Sequence, residues 1–409
     1  MNIPLATSDP HVPVYCGSDL LRRFISWWAI LVFHPLYWVI YAIAFTQYLL
    51  FFSPTWYARA GTLIYLGYIF FDRRRADGKG FPDWISRHTI LRNKRSFVWR
   101  ICCSYYPFKL CKTAEIDGGA RLLFVTHPHG IFGVATQGHL GTFGSGFDRL
   151  YGEQLGGRLR LIALEALLLI PFFREVMFAC GVHSASRQSF AAIFAQGNIP
   201  VLNVGGAAES LIYQKSDEVV EKDDYSKSKN KVAGDEAEAY SPVEVMKLVV
   251  KNRKGFIKVA MQEGAALVPC IAFDENKAYA VYAPASGGMI ERIQRTFKKK
   301  MKFTFPLFYG NIGPFHPLRQ KQSLYVGAVL PVTPPVVGQE RPSASGGDEA
   351  RPSSAGPQRW TKIANPTQAE IDAKHAEYLA ALQKLFDDYK DHAGHPNMVL
   401  QITDEYGKG

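Results

Sequence analysis

The chain has 409 residues, 47% of them hydrophobic and 13% aromatic, which supplies apolar side chain for one large packed domain with attachments and excludes an intrinsically disordered chain. A net charge of +11 at pH 7 points to an acidic partner: nucleic acid, an anionic lipid surface or a polyphosphate-bearing small molecule. Six cysteines with neither a CxxC pair nor a regular framework argue against structural disulfides or a thiolate zinc site, and for a reducing compartment.

Residues 1–22 read as a polar cytosolic tail. From Phe24 to Phe52 the sequence is almost continuously apolar, longer than the roughly 20 residues that a bilayer crossing needs. After Ser53-Pro54 a second, shorter apolar run, Trp56 to Phe71, contains Arg59. Residues 23–72 are therefore expected to form a transmembrane or re-entrant helical hairpin. Arg22 and Arg23 precede it and Arg73, Arg74 and Arg75 follow it, which places both ends on the cytosolic side. A signal peptide is disfavoured, because the apolar stretch is too long and no small-residue cleavage site follows.

From Arg73 onwards strand-like and helix-like runs alternate, which predicts an α/β domain over residues 73–337 with a central, mostly parallel sheet flanked by helices. Arg121 to Thr126 reads as a buried strand running into His127-Pro128-His129-Gly130. Pro171 to Gly181 has Pro at its start and Gly at its end, as a helix does. Pro200 to Val204 reads as a second buried strand, leading into Gly205-Gly206-Ala207-Ala208-Glu209. Residues 215–241 mix Lys, Asp, Glu and Ser without apolar period and read as a flexible charged insertion. Lys251 to Glu263 has helical spacing and a Gly264 stop, and Ala266 to Phe273 reads as a strand. Met289 to Phe305 is basic and amphipathic, either a solvated face or a contact for membrane phosphates. Residues 338–365 read as a flexible loop. Residues 366–409 open on the capping box Thr367-Gln368-Ala369-Glu370 and carry Ile371, Tyr378, Leu382, Leu385 and Phe386 along one face, which predicts a packed C-terminal helix and tail.

Two imidazoles at a strand end are the strongest chemical signal in the chain, since ligands of open α/β sheets collect beyond the strand C-termini and histidine exchanges a proton near neutral pH. Alternate residues of an extended segment share a face, so His127 and His129 are both expected to face one site. Three readings stay open: a metal pair, a structural pair, or general acid/base work. The metal reading lacks a further ligand at recognisable spacing, and no metal is assigned.

Tyr105-Tyr106-Pro107, His127-Pro128-His129-Gly130, Pro171-Phe172-Phe173-Arg174-Glu175, Gly205-Gly206-x-x-Glu209, Arg253-Lys254-Gly255-Phe256 through Leu267-Val268-Pro269 to Asp274-Glu275-Asn276, and the Pro366-Thr367-Gln368 helix start occur in that order. Together they resemble the diacylglycerol acyltransferase type 2 family, which includes monoacylglycerol and wax-alcohol acyltransferases. Three departures, Glu263 before Gly264, Asp274 in place of a usual glycine and a missing proline in Gly327 to Pro331, bear on substrate preference.

The resemblance implies a fold like the glycerolipid acyltransferases and transfer of a fatty acyl group from acyl-CoA to diacylglycerol, giving triacylglycerol; a monoacylglycerol or long-chain alcohol acceptor is the alternative. It implies a histidine as general base: His129, directly before Gly130, is assigned with His127 supporting it, the reverse assignment staying open, while Gly130 lets backbone donors approach an oxyanion and Glu209, in the family's Gly-Gly-x-x-Glu pattern, is the carboxylate behind the imidazole. Arg174, Arg187, Arg253 and Lys254 lie in family-like segments and are candidates for the acyl-CoA phosphates. It further implies no cofactor beyond acyl-CoA as cosubstrate, membrane lipid as a partner, no nucleic acid, and residence in the endoplasmic reticulum membrane or at the lipid droplet surface with the catalytic domain cytosolic; self-association is left open. A silent lipid-droplet scaffold and a metal hydrolase are the competing classes.

Overall fold

A computed structural model of the chain describes residues 6–8, 19–33, 35–72, 93–209, 244–282, 288–290, 292–293, 296, 307–336 and 359–404. The charged insertion 215–241, the lysine cluster of Lys298 to Lys302 and most of the loop 338–365 lie outside the described residues.

Twelve strands are present among them: β1 (Ala6–Ser8), β2 (Phe108–Lys112), β3 (Leu122–His127), β4 (Leu159–Ala163), β5 (His183–Ser184), β6 (Ile199–Asn203), β7 (Val245–Val249), β8 (Ala266–Phe273), β9 (Ala280–Tyr282), β10 (Leu307–Tyr309), β11 (Gln322–Val326) and β12 (Val399–Thr403). Eight form one sheet in the order β1-β2-β11-β8-β3-β6-β4-β5. Its pairings are parallel except β1 with β2 and β11 with β8, so the fold is mixed α/β with a mostly parallel central sheet. β3 and β8 are buried at every position, which is why Leu122–Val125 and Ala266–Phe273 appear in the sequence as apolar runs.

Helices cover the sheet. The longest, Gln368–Ala393, opens with the Thr367–Glu370 capping box, and its buried Ile371, Tyr378, Leu382, Leu385 and Phe386 join a core cluster with Leu123, Val125, Leu267, Ile271 and Phe273. Gly255–Glu263 ends on Gly264, and Phe256, Ile257, Ala260 and Met261 enter the same cluster. A second cluster, around Leu122, Phe124, Phe147, Leu159 and Val201, fills the sheet's other side.

The N-terminal region differs from expectation. No helix among the described residues is long and apolar enough to cross a membrane. The apolar stretch is divided into Asp19–Phe33, Pro35–Gln47 with a π-helical turn Tyr48–Phe52, and Trp56–Phe71, of 15, 13, 5 and 16 residues. Residue 34, between the first two helices, lies outside the described residues; Ser53 to Thr55 separate the last two, and Pro54, which has no N–H to donate, lies in that break. A run of 16 residues gives about 24 Å of helix against a hydrocarbon core of about 30 Å, so the transmembrane form of the hairpin is not found. The first helix instead packs on the domain, where Trp27 and Ile30 cover Tyr105, Tyr106 and Phe108, and Trp27 stacks on His316 at 4.6 Å.

Candidate active site

Three adjacent parallel strands deliver their C-terminal ends to one edge. Thr126 lies opposite Asn203 and His127 opposite Ile271, so β6, β3 and β8 finish at nearly the same level. The chain leaves β3 as His127-Pro128-His129-Gly130, leaves β6 through Gly205 and Gly206 to Glu209, and leaves β8 through Asp274 to Glu275.

The two histidines do different things. His127 is fully buried, its Nε2 is 3.0 Å from the Tyr378 hydroxyl, and its Nδ1 has no hydrogen-bond partner among the described residues. Burial pushes its imidazole down to about 3, so it is neutral at physiological pH and has little basicity. His129 is partly exposed, and its Nδ1 lies 2.9 Å from the Gly130 carbonyl oxygen. A carbonyl only accepts, so the neutral ring carries its proton on Nδ1 and its lone pair on Nε2. Burial lowers this imidazole below the usual range, with the Gly130 contact opposing in part. The rings therefore do not face one site together, contrary to the alternation expected for an extended segment.

Glu209 is 1% exposed, and both its oxygens are used by backbone: Oε2 accepts from the His129 N–H at 2.7 Å and Oε1 from the Val249 N–H at 2.9 Å. Burial pushes this carboxyl up to about 7, against the two N–H bonds and the Arg253 charge, which pull it down. Gly205 makes the arrangement possible, because a Cβ there would overlap the Glu209 carboxylate. The expected carboxylate–imidazole pairing is thus not formed. With both oxygens bound to N–H donors, Glu209 holds the loop backbone, and the Gly130 carbonyl fixes the tautomer instead.

Glu275 was not singled out from the sequence. It is 2% exposed, with Oε1 accepting from the Val134 N–H at 2.8 Å and Oε2 from the Ala135 N–H at 2.6 Å, and burial pushes its carboxyl up to about 7. Its place directly after β8 is the signal that would have found it, since the same strand-end logic locates His129 and Glu209. Asn203, at the end of β6, adds a polar support: its Oδ1 accepts from the hydroxyls of Thr126 and Thr136.

The four basic candidates are not brought together. Arg174 is fully buried, ion-paired to Asp72 and donating to the Leu168 carbonyl oxygen at 3.1 Å, so it braces the fold and is not presented to a phosphate. Arg187 is exposed and donates to Gln262 at 2.9 Å. Lys254 pairs with Asp372 at 2.8 Å, while exposed Arg253 is the candidate whose charge reaches Glu209.

One group of potential metal ligands exists among the described residues: Glu244, Asp274 and His395. Lys277 Nζ lies 2.7 Å from Glu244 Oε1 and 2.9 Å from Asp274 Oδ1, and His395 lies 2.8 Å from Glu244 Oε2 and 3.1 Å from Asp274 Oδ2, so every carboxylate oxygen of the group already has an ammonium or imidazole partner. The donor set fits an ion-paired staple between the turn after β8 and the chain leading into β12.

The family model described as Diacylglycerol acyltransferase matches residues 48–224, 214–342 and 355–403. Among similar proteins, "Diacylglycerol O-acyltransferase 2A" of Umbelopsis ramanniana is 31% identical over 303 residues, 72% of this chain and 69% of the relative. "2-acylglycerol O-acyltransferase 3" of Homo sapiens is 31% identical over 85% of each chain, and "Acyl-CoA wax alcohol acyltransferase 2" of Homo sapiens is 28% identical over 86% of this chain and 87% of its own. No solved structure matches the chain. With that family model matched over most of its length, the chain belongs to the diacylglycerol acyltransferase family.

Proposed function

We propose that this chain is an acyl-CoA:diacylglycerol O-acyltransferase, moving a fatty acyl group from acyl-CoA to the free hydroxyl of diacylglycerol to give triacylglycerol. The observation that carries the reading is the Nδ1 contact of His129 with the Gly130 carbonyl, which leaves the Nε2 lone pair at the sheet edge of a chain in this family. His129 Nε2 takes the proton of the acceptor hydroxyl as the oxygen attacks the thioester carbonyl. The carbonyl oxygen becomes an oxyanion stabilised by loop N–H donors beginning at Gly130. Collapse of the intermediate breaks the C–S bond, and the imidazolium returns its proton to the leaving CoA sulfur, giving ester and free CoA. His127, neutral and tied to Tyr378, supports the loop from inside the core. Exposed Arg187 and Arg253 are the assigned contacts for the acyl-CoA phosphates, with Lys254 reaching them when it releases Asp372.

The acceptor has a second reading, monoacylglycerol or a long-chain alcohol, supported by the 2-acylglycerol and wax alcohol relatives, which match this chain at much the same identity as the diacylglycerol O-acyltransferases do. Location is part of the proposal: the apolar N-terminal helices enter one leaflet of the endoplasmic reticulum membrane or the lipid droplet surface as a re-entrant hairpin, leaving the domain in the cytosol.

The test is transfer of labelled oleoyl-CoA to diacylglycerol, monoacylglycerol and hexadecanol in parallel by microsomes carrying wild type or His129→Ala at matched expression. Triacylglycerol formed by wild type and reduced about 10²- to 10⁴-fold in the variant is the expected result. Transfer to monoacylglycerol or hexadecanol alone would move the acceptor, and transfer to none of the three would overturn the reading.

A further inference from the structure

We propose that Glu275 is a positioning residue that sets the geometry of the His129–Gly130 segment from the β8 side, as Glu209 sets it from the β6 side. The inference rests on the acyl-transfer reading in assigning His129 as base, and it adds the element that fixes where the base's supporting carbonyl sits.

The stereochemistry is specific. Gly130 has φ of 59°, a left-handed conformation that side chains rarely adopt, and a Cβ built on it would lie 2.6 Å from Glu275 Oε1. The Gly130 backbone therefore rests against this carboxylate. Four residues on, the same two oxygens hold the Val134 and Ala135 N–H groups at 2.8 and 2.6 Å. Glu275 thus fixes both ends of the turn that runs from Gly130 to Val134. The Gly130 carbonyl, whose direction decides where the His129 Nδ1 proton points, belongs to that turn.

Glu275 is itself aimed from behind. Asp274 has φ of 67°, and its side chain is held by Lys277 at 2.9 Å and His395 at 3.1 Å, while its carbonyl oxygen accepts from Gln322 at 3.1 Å. The departure of Asp274 from a glycine at this turn is thereby stabilised by an ion-paired staple. A carboxylate suits the task because both oxygens accept, whereas the amide of Gln would present one N–H group to a backbone N–H. A lateral displacement of a reacting group by about 1 Å is sufficient to lower turnover on the order of 100-fold.

The experiment compares wild type, Glu275→Gln and Glu275→Asp as full chains in detergent or microsomes, with two readouts. The first is kcat and KM for acyl-CoA and for the acceptor, normalised to folded protein. The second is carbethoxylation of His129 by diethyl pyrocarbonate against pH, followed by mass spectrometry, which requires no turnover. Glu275→Gln is expected to lower kcat roughly 10- to 100-fold with both KM values within about twofold. It should also move the His129 modification profile up toward an ordinary imidazole. A glutamate that merely stabilises the fold would lower thermal stability but leave kcat per folded molecule and the profile at wild-type values, and that result overturns the proposal. If Glu275→Gln does not accumulate folded, Glu275→Asp, which retracts both oxygens by one methylene, is judged by the same two readouts, and wild-type values in it overturn the proposal equally. A wild type inactive on every acceptor would sink the acyl-transfer reading, while the modification profile would still decide the role of Glu275.

Discussion

A histidine acts as a base in its neutral form, with its lone pair on the nitrogen that meets the substrate, and the two imidazoles of the loop divide on both points. His127 is neutral because burial makes its cation costly, but its ring is enclosed against Tyr378. His129 is neutral at pH 7 with its proton committed to the Gly130 carbonyl. Its base function is lost as pH falls through a value lowered from the ordinary 6.5, so the acid limb from this residue lies below 6.5. Glu209 titrates nearer neutrality: burial pushes it up to about 7, and only the ionised form offers lone pairs to both the His129 and Val249 N–H groups. The rate should therefore fall in two steps on acidification, first through about 7 as Glu209 takes a proton, then through the lower value of His129. Glu275 is pushed up to about 7 as well and shares this step, so in Glu209→Gln the upper step should become shallower while the lower one remains. Turnover above the upper step should drop about 10-fold, since one N–H loses its acceptor, at a cost of about 1–3 kcal/mol. A pH–rate profile of both proteins checks this, and a single step common to both would refute the role given to Glu209.

At the scale of elements, the site is made by register: three parallel strands ending level bring together loops distant in sequence. The closeness of those loops imposes a size limit at Gly205, where a Cβ would overlap the Glu209 carboxylate. Gly205→Ala should expel that carboxylate from between the His129 and Val249 N–H groups, lowering stability by about 1–3 kcal/mol and turnover at least 10-fold. Thermal unfolding and acyl transfer on the same preparation measure both, and an unchanged Tm would show that the loop has room. These elements were legible in the sequence where burial is two-sided: β3, β6 and β8 are short apolar runs bounded by Gly, Pro or charge, and the capping box marks the start of the C-terminal helix. Contacts made through backbone were not legible. Nothing in the composition of Gly-Gly-x-x-Glu distinguishes a carboxylate that holds an imidazole from one that holds the peptide beside it. Arg174 misled for a related reason, because its partner Asp72 is 102 residues away and an arginine reads the same whether paired or free. Hydropathy misled at the N-terminus, since a sum over apolar residues does not register where helices end, as they do at Ser53 to Thr55.

The whole molecule is a packed α/β domain with a strongly apolar outer region along one stretch of chain. Phe51, Phe52, Ile64, Phe70, Phe71 and Trp56 are each at least 70% exposed, and Tyr41, Tyr57 and Leu63 more than 60%. Scattered apolar residues are normal on a surface, but this density within a short stretch of chain is what supports the proposed insertion into an apolar phase. The first of those helices shows both sides of the boundary: Trp27 stacks on His316 of the domain, while its neighbour Trp28 is 47% exposed. Helices too short to cross a bilayer but rich in exposed aromatic rings satisfy the solvent by lying in one leaflet, with their charged ends at the head groups. Burying one Phe side chain is worth roughly 1.5–3 kcal/mol, so four together contribute roughly 6–12 kcal/mol to membrane partition. Replacing Phe51, Phe52, Phe70 and Phe71 with Ser should accordingly release the protein from liposomes of phosphatidylcholine and diacylglycerol by a factor on the order of 10⁴ or more, while the core clusters under the sheet remain intact. Flotation of wild type and variant reads the partition, and near-UV circular dichroism reads the fold. Protease tags before Asp19 and within the Arg73 to Arg75 segment give the geometry. Equal accessibility of both from the outside of sealed vesicles fits a hairpin with its ends on one side, and a third tag beside Ser53, between the two apolar runs, separates its forms: cleavage of that tag by protease sealed inside the vesicles would mean that this stretch of chain crosses the bilayer after all.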